Sequence, residues 1–296
     1  MIPFAQQVKQ EARIRTMERA DIDVAIDWAT REGWNPGLLD AEAFHAADPD
    51  GFLIAEDERR EPLACISAVR YGDRLGFVGF YIVRPDRRGE GLGLTIWRAG
   101  MARLAGRLVG LDGVVAQQLA YRRSGFRRAW RNLRYGVHEP LPVPVPAGAA
   151  TVVDAASLPI ARLVAYDAAM AAGPRGAFLR AWLTLPGHVA LAATRGGGDN
   201  ATIAGLGVAR PCRQGTKIGP LFAADEATAR ALFVALAERS PARPLFLDVP
   251  EPNAEAVALA RAAGMEPTFE TARMYIGAPP AIPLPRVFGI TTFELG

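Results

Sequence analysis

Between Glu139 and Ala150 the chain reads EPLPVPVPAGAA, with proline at every second position from 140 to 146. Proline fixes its own φ and carries no N–H, so such a run can continue neither a helix nor an interior strand. It divides the 296-residue chain into an N-terminal half, residues 1–138, a linker, 139–150, and a C-terminal half, 151–296. Half of the residues are apolar, so each half can bury a core of its own. The net charge is only +3, and Lys9 and Lys217 are the only lysines, so the arginines alone argue weakly for nucleic acid. Cys65 and Cys212 lie far apart in apolar surroundings, with neither a disulfide framework nor a metal-ligand spacing. The opening MIPFAQQVKQEAR lacks the apolar core of a secretion signal, and no run approaches the roughly 18 apolar residues of a membrane span. A cytoplasmic protein with no metal, no membrane and no nucleic-acid partner is expected, as monomer or homodimer.

The first half reads as a mixed α/β layer. EARIRTM alternates as a short strand, ADIDVAIDWATREG is an amphipathic helix, and DAEAFHAA is a second helix after the Trp34–Gly37 turn. GFLIAED, PLACISAVRYG and LGFVGFYIV follow as strands separated by turns that suit antiparallel hairpins. A helix over 92–106, a strand near GVVA, a helix QQLAYRRS stopped by Gly125 and a strand RNLRYGV complete the order β-α-α-β-β-β-α-β-α-β. That order departs from the alternating βα pattern of a doubly wound nucleotide fold. The second half repeats part of it, with TIAGLGVAR, TKIGPLF and PLFLDV as strands and ADEATARALFVALAERS and NAEAVALARAAGM as helices. The final TTFELG has the alternation of a closing strand.

Chemistry concentrates in RPDRRGEGLG, residues 84–93, directly after FVGFYIV and before a helix. A helix N-terminus presents unpaired N–H groups and partial positive charge, so it takes phosphate where side chains do not obstruct. Gly89, Gly91 and Gly93 remove side chains at alternate positions, while Arg84, Arg87 and Arg88 bring charge. A dinucleotide fingerprint would need its third glycine at Leu94, and a P-loop would need Gly-Lys followed by Ser or Thr. The second half has Ala224-Asp225-Glu226 at the matching helix start, where carboxylates already complement the dipole and would repel phosphate. One anion site is expected, not two.

Arg88-Gly89-Glu90-Gly91-Leu92-Gly93 after a strand resembles the pyrophosphate loop of the GCN5-related N-acetyltransferase (GNAT) superfamily: Arg or Gln, two residues, Gly, one residue, Gly or Ala. Ala120-Tyr121-Arg122-Arg123-Ser124-Gly125-Phe126 resembles that family's second signature, and the element order of residues 12–138 is similar to its fold. The tandem arrangement, with a degenerate second copy, looks like a subset of the superfamily. The resemblance implies an acetyl-CoA-dependent N-acetyltransferase acting on a primary amine of a small molecule by direct attack on the thioester. It places the coenzyme on the backbone of Tyr81, Ile82 and Val83 and on Arg87, Arg88, Gly89, Glu90, Gly91, Leu92 and Gly93. It makes Tyr121 the acid for the departing thiolate, since a phenol of pKa about 10 stays protonated at neutral pH.

Glu32 is a candidate base at the end of the first helix, and Trp34, Asn35, Asp40 and Phe80 are candidates to line the acceptor site. Asp248, with Glu251 and Asn253 in LDVPEPN, marks a strand-to-helix junction that could attract an ammonium group or serve as turn and cap. His45, His138 and His188 have no partner at ligand spacing, and Cys65 reads as a buried strand residue. A non-catalytic acyl-CoA-binding module and a protein N-acetyltransferase are the competing readings.

Overall fold

The computed structural model describes residues 12–198, 201–240 and 242–296. The first half runs β1 (Arg13–Thr16), α1 (Arg19–Arg31), α2 (Asp40–Ala47), β2 (Phe52–Glu56), β3 (Pro62–Tyr71), β4 (Leu75–Val83), α3 (Leu92–Arg103), β5 (Leu108–Val114), α4 (Gln118–Arg123) and β6 (Arg127–Val137). The second repeats that order: β7 (Thr151–Asp154), α5 (Ile160–Met170), α6 (Gly176–Thr184), β8 (Val189–Arg195), β9 (Thr202–Pro211), β10 (Thr216–Ala223), α7 (Glu226–Arg239), β11 (Leu245–Pro250), α8 (Ala254–Ala262) and β12 (Glu266–Ile276). A short β13 (Val287–Gly289) follows. Residues 140–146 form neither helix nor strand.

Local sequence explains several of these elements. Helix α1 starts in a capping box between Glu18 and Asp21 and buries Ile22, Ala25, Ile26 and Ala29, one stripe at helical spacing. Strand β3 is buried along nearly its whole length because both faces are covered. Ala64, Ile66 and Ala68 pack with Ile96 and Trp97 of α3, while Cys65 and Val69 face the cluster of Ile22 and Phe44.

All strands join one 13-stranded sheet, in the order β1-β2-β3-β4-β5-β12-β6-β11-β10-β9-β8-β7, with β13 beside β10. Strand β12 of the second half lies between β5 and β6, and β6 of the first half lies between β12 and β11. Each half therefore lends its last long strand to the other.

Both halves contain one parallel pair, β4 with β5 and β10 with β11. Pairing of β4 with β5 covers Leu75 to Val78 and stops there. Just beyond, β4 carries an extra residue against β3, since Cys65 faces Ile82 and Ser67 faces Gly79. This bulge bends the strand away from β5. Phe80 sits in it at φ +45, a left-handed conformation that is strained for a side chain of this size. Its ring is held between Phe44 and Phe52, and its carbonyl accepts from Cys65 Sγ. Strand β10 has the matching shift between Ile218 and Leu221. There, however, β13 pairs with Leu221 and Phe222, covering the edge that β4 leaves open.

The tail TTFELG is not a closing strand. Residues 293–295 form a turn whose backbone is held by side chains. Tyr71 Oη donates to Leu295 O, Arg175 to Gly296 O, and Arg210 to Thr291 O. The Leu295 N–H donates to Thr292 Oγ1. With its polar groups satisfied in this way, the tail has no need of a ladder. Among the described residues, no helix is long and apolar enough to cross a membrane.

Candidate active site

The divergence of β4 from β5 opens a cleft. Its walls include the backbone of Gly79 to Val83, Glu32 and Trp34 on one side, and Leu111, Asp112 and Tyr121 on the other. Phe269 and Thr271 of β12 and Phe293 and Glu294 of the tail form its floor. Beyond Val78, the β4 edge facing the cleft has no strand partner among the described residues. An extended chain bearing amides can pair with such an edge.

The cleft leads to the glycine loop. Gly89 and Gly91 have φ +86 and +87, and a Cβ built on either would meet nothing within 4 Å. Glycine here permits the left-handed backbone and leaves bare space over the start of α3. Gly91 is the N-cap, no side chain caps the helix, and its first turn holds no carboxylate. A phosphate group fits that arrangement. Gly93 has another role: a Cβ there would lie 2.8 Å from Tyr81 Oη, so its absence admits the Tyr81 ring. Leu92 is buried, part of the helix's inner face. The loop's arginines are already held by neighbours. Arg87 pairs with Glu90 at 2.9 Å, and Arg88 donates to Val83 O at 3.0 Å and pairs with Glu32 across the mouth of the cleft. Glu32 is thus a partially exposed rim carboxylate bound to a cation.

Tyr121 lies on α4, buried among Trp97 and Phe126, with ring centroids 5.6 and 6.2 Å away. Gly113 of β5 makes the room, since a Cβ there would lie 2.9 Å from the Tyr121 ring. Its hydroxyl makes no hydrogen bond among the described residues. Burial, assisted by the neighbouring Tyr81 phenol, pushes the Tyr121 pKa up, so the hydroxyl keeps its proton at neutral pH.

Three residues expected at the acceptor site lie elsewhere. Asp40 is fully buried; it accepts from the Gly37 N–H and pairs with Arg210 at 3.1 Å. Asp248 is fully buried too, and both oxygens accept from Arg134, at 2.6 and 2.8 Å. Asn35, at φ +51, exchanges two hydrogen bonds with the Gln214 backbone and offers its carbonyl to Lys217 Nζ. All three fasten the halves together, and none lines the cleft. Glu251 pairs with Arg131, and Asn253 caps α8 through the Ala256 N–H, so LDVPEPN is turn and cap chemistry. Trp34 and Phe80 do line the cleft.

Two carboxylates at the cleft escaped sequence reasoning. Asp112 accepts two bonds from Arg273 and one from Asn132, tying β5 to β12 and β6. Glu294 is 2 % exposed, and among the described residues neither of its carboxylate oxygens has a hydrogen-bond partner. Burial raises its pKa, against the lowering effect of Lys217, Arg210 and Arg134. No local motif marks Glu294, because its setting is made by segments far away in the chain.

In the second half, β13 covers the matching strand edge. Asp225 caps α7, accepting from the Thr228 N–H at 2.9 Å, and pairs with Arg195. The corresponding helix start is thus filled by a carboxylate, as its sequence implied.

Comparison with known proteins agrees with this geometry. Residues 19–126 match the Acetyltransferase (GNAT) family, and residues 163–289 match the Acetyltransferase (GNAT) domain. The chain is 29 % identical over 295 residues to holothin acyltransferase of Pseudoalteromonas sp. (strain SANK 73390), covering 98 % of this chain and 97 % of that one. A Pyrococcus horikoshii protein assigned as an acetyltransferase superposes with a TM-score of 0.79 at 20 % identity, over 97 % of this chain and 96 % of its own. A tandem GNAT protein from the clavulanic acid biosynthesis pathway superposes with a TM-score of 0.62 at 15 % identity, over 91 % of this chain and all of its own. With two such matches in series and a cleft and glycine loop in the first, the chain belongs to the GNAT superfamily as a tandem protein.

Proposed function

We propose that this protein is an acyl-CoA-dependent N-acyltransferase that moves an acetyl group to a primary amine of a small molecule, using the cleft of its first half. The observation that carries the reading is the open β4 edge from Gly79 to Val83. It runs toward the uncapped, glycine-lined start of α3, and the matching edge in the other half is covered by β13.

Acyl-CoA, when bound, supplies the thioester carbonyl as electrophile. Backbone N–H groups of residues 88–93 hold the pyrophosphate, joined by Arg87 and Arg88 once they release their carboxylates. The β4 edge at Tyr81, Ile82 and Val83 pairs with the amide-bearing arm and aims donors at the carbonyl oxygen, where charge develops. Tyr121 holds a proton on Oη for the departing sulfur. Glu32 keeps Arg88 at the mouth and is not the base. The aromatic lining from Trp34, Phe269 and Phe293 suits an acceptor with a flat or apolar body.

The test is a calorimetric titration with acetyl-CoA, run beside Gly91→Glu. One equivalent should bind per chain, and binding should vanish in the variant, whose carboxylate would meet the phosphate. A wild-type protein that binds no acetyl-CoA would overturn the reading. Saturable acetyl-CoA binding with no thiol release in the presence of amines would favour a non-catalytic binding module.

A further inference from the structure

We propose that Glu32 anchors a second cationic group on the acceptor, and that Arg88 holds this anchor until the coenzyme draws it away. The inference rests on the acyltransferase reading above. It narrows the acceptor to primary amines that carry another positive charge on a flat or apolar body.

Charge at the cleft is sparse and unequally available. Among the described residues, its lining holds three carboxylates, Glu32, Asp112 and Glu294, and one cation, Arg88. Asp112 is committed to Arg273 and closed off from solvent, and Glu294 is buried. Glu32 is the carboxylate of the three that meets water, with 32 % of its side chain exposed. Arg88 is its ion-pair partner, itself 51 % exposed.

The backbone fixes where the Glu32 carboxylate stands. Glu32 is the C-cap of α1 and its N–H donates to Trp28 O, while the turn through Gly33, at φ +79, returns the Trp34 N–H to Ala29 O. Arg134 then donates to Trp34 O at 2.7 Å. Glu32 and Trp34 therefore line the cleft from one anchored turn. A carboxylate, an indole and the partial negative charge of a helix C-terminus all favour a cation there. In this structure the cation is the Arg88 guanidinium.

Arg88 also reaches the strand. Its Nε donates to Val83 O at 3.0 Å while Nη2 pairs with Glu32. The Arg84 N–H bonds to Leu63 O of β3, and successive residues of an antiparallel strand turn their polar groups to opposite sides, so the Val83 carbonyl points to the open edge. Arg88 thus spans the mouth from that carbonyl to the opposite rim. An amide arm paired along the edge competes for Val83 O, and a pyrophosphate at the start of α3 competes with Glu32 for the guanidinium, which matches phosphate bidentately. Both draw Arg88 off Glu32. The carboxylate it leaves is then open to the cation of the acceptor, so coenzyme and acceptor strengthen each other's binding, reciprocally.

The experiment titrates 4-(aminomethyl)benzylamine, a flat diamine, and its neutral isostere 1,4-benzenedimethanol into the protein with and without saturating CoA, by calorimetry. CoA should tighten diamine binding by about 5- to 50-fold and leave the diol unchanged. Glu32→Gln should abolish this coupling and bind CoA about two- to fivefold more tightly than the wild type, since Arg88 has no carboxylate to leave. Arg88→Gln should weaken CoA and let the diamine bind without it as tightly as it binds the wild-type CoA complex. In thiol-release assays the wild type should favour the diamine over 4-methylbenzylamine by about tenfold in kcat/KM, and Glu32→Gln should lose the preference. Saturable CoA binding with no effect on the diamine, coupling that persists in Glu32→Gln, or equal kcat/KM for the two amines would overturn the inference and leave the transferase reading standing. A wild-type protein that binds no CoA would overturn that reading, and this inference with it.

Discussion

At the scale of single residues, burial decides which polar groups are structural and which remain available. Tyr121 packs its ring among aromatic neighbours at the cleft, and its hydroxyl makes no hydrogen bond among the described residues, so Tyr121→Phe should leave acetyl-CoA affinity unchanged and lower kcat by about 10²- to 10⁴-fold. Parallel calorimetry and thiol-release assays would check this, and an unchanged rate would remove Tyr121 from the mechanism. Asp248 behaves oppositely. Asp248→Ala would leave Arg134 buried without its carboxylate, and a loss of about 3–5 kcal/mol in unfolding free energy is expected from denaturant titration. Tyr121 was legible in the sequence because the helix that presents it ends in its own Gly-Phe signature. Asp40 and Asp248 were misleading, because a carboxylate near a turn looks alike in sequence whether it faces a ligand or a buried arginine 114 or more residues away.

At the scale of elements, the two halves contain the same parts and use them differently. Each has a parallel strand pair, a bulge at the corresponding strand and a helix starting nearby. In the first, the helix start is glycine and the strand edge is open. In the second, Asp225 caps the helix and β13 covers the edge. Two independent changes close the second position, so restoring one should not restore binding. Asp225→Gly is expected to keep a calorimetric stoichiometry of one acetyl-CoA per chain and to destabilise the fold by a few tenths of a kcal/mol, up to about 1, through the lost cap. A second equivalent bound would show that β13 is no barrier. The helix start was readable in sequence because capping is local. β13 was not, since a three-residue strand after a proline-rich stretch carries no periodicity worth the name.

At the scale of the whole molecule, the proline-rich linker divides the sequence more cleanly than it divides the sheet. Strand β12 sits between β5 and β6, and β6 between β12 and β11, so neither half completes its own sheet. Residues 1–138 expressed alone would expose the edges of β5 and β6 that β12 covers, together with Asp112 stripped of Arg273. That fragment should not give a folded monomer by circular dichroism and size-exclusion chromatography. A cooperative, monomeric fragment would show that the exchange adds little to stability. The cleft depends on the same exchange, because its floor, Phe269, Thr271, Phe293 and Glu294, comes entirely from the second half. The element order of the first half, the glycine-lined start of α3, the Gly-Phe end of α4 and the carboxylate at the start of α7 were determined by sequence alone, since each rests on residues within a few positions of one another. Which carboxylates are paired, where the tail lies and how the halves share strands were decided only by tertiary structure. Those outcomes depend on contacts between segments more than 100 residues apart, and no local pattern of polarity records which partner a buried charge will meet.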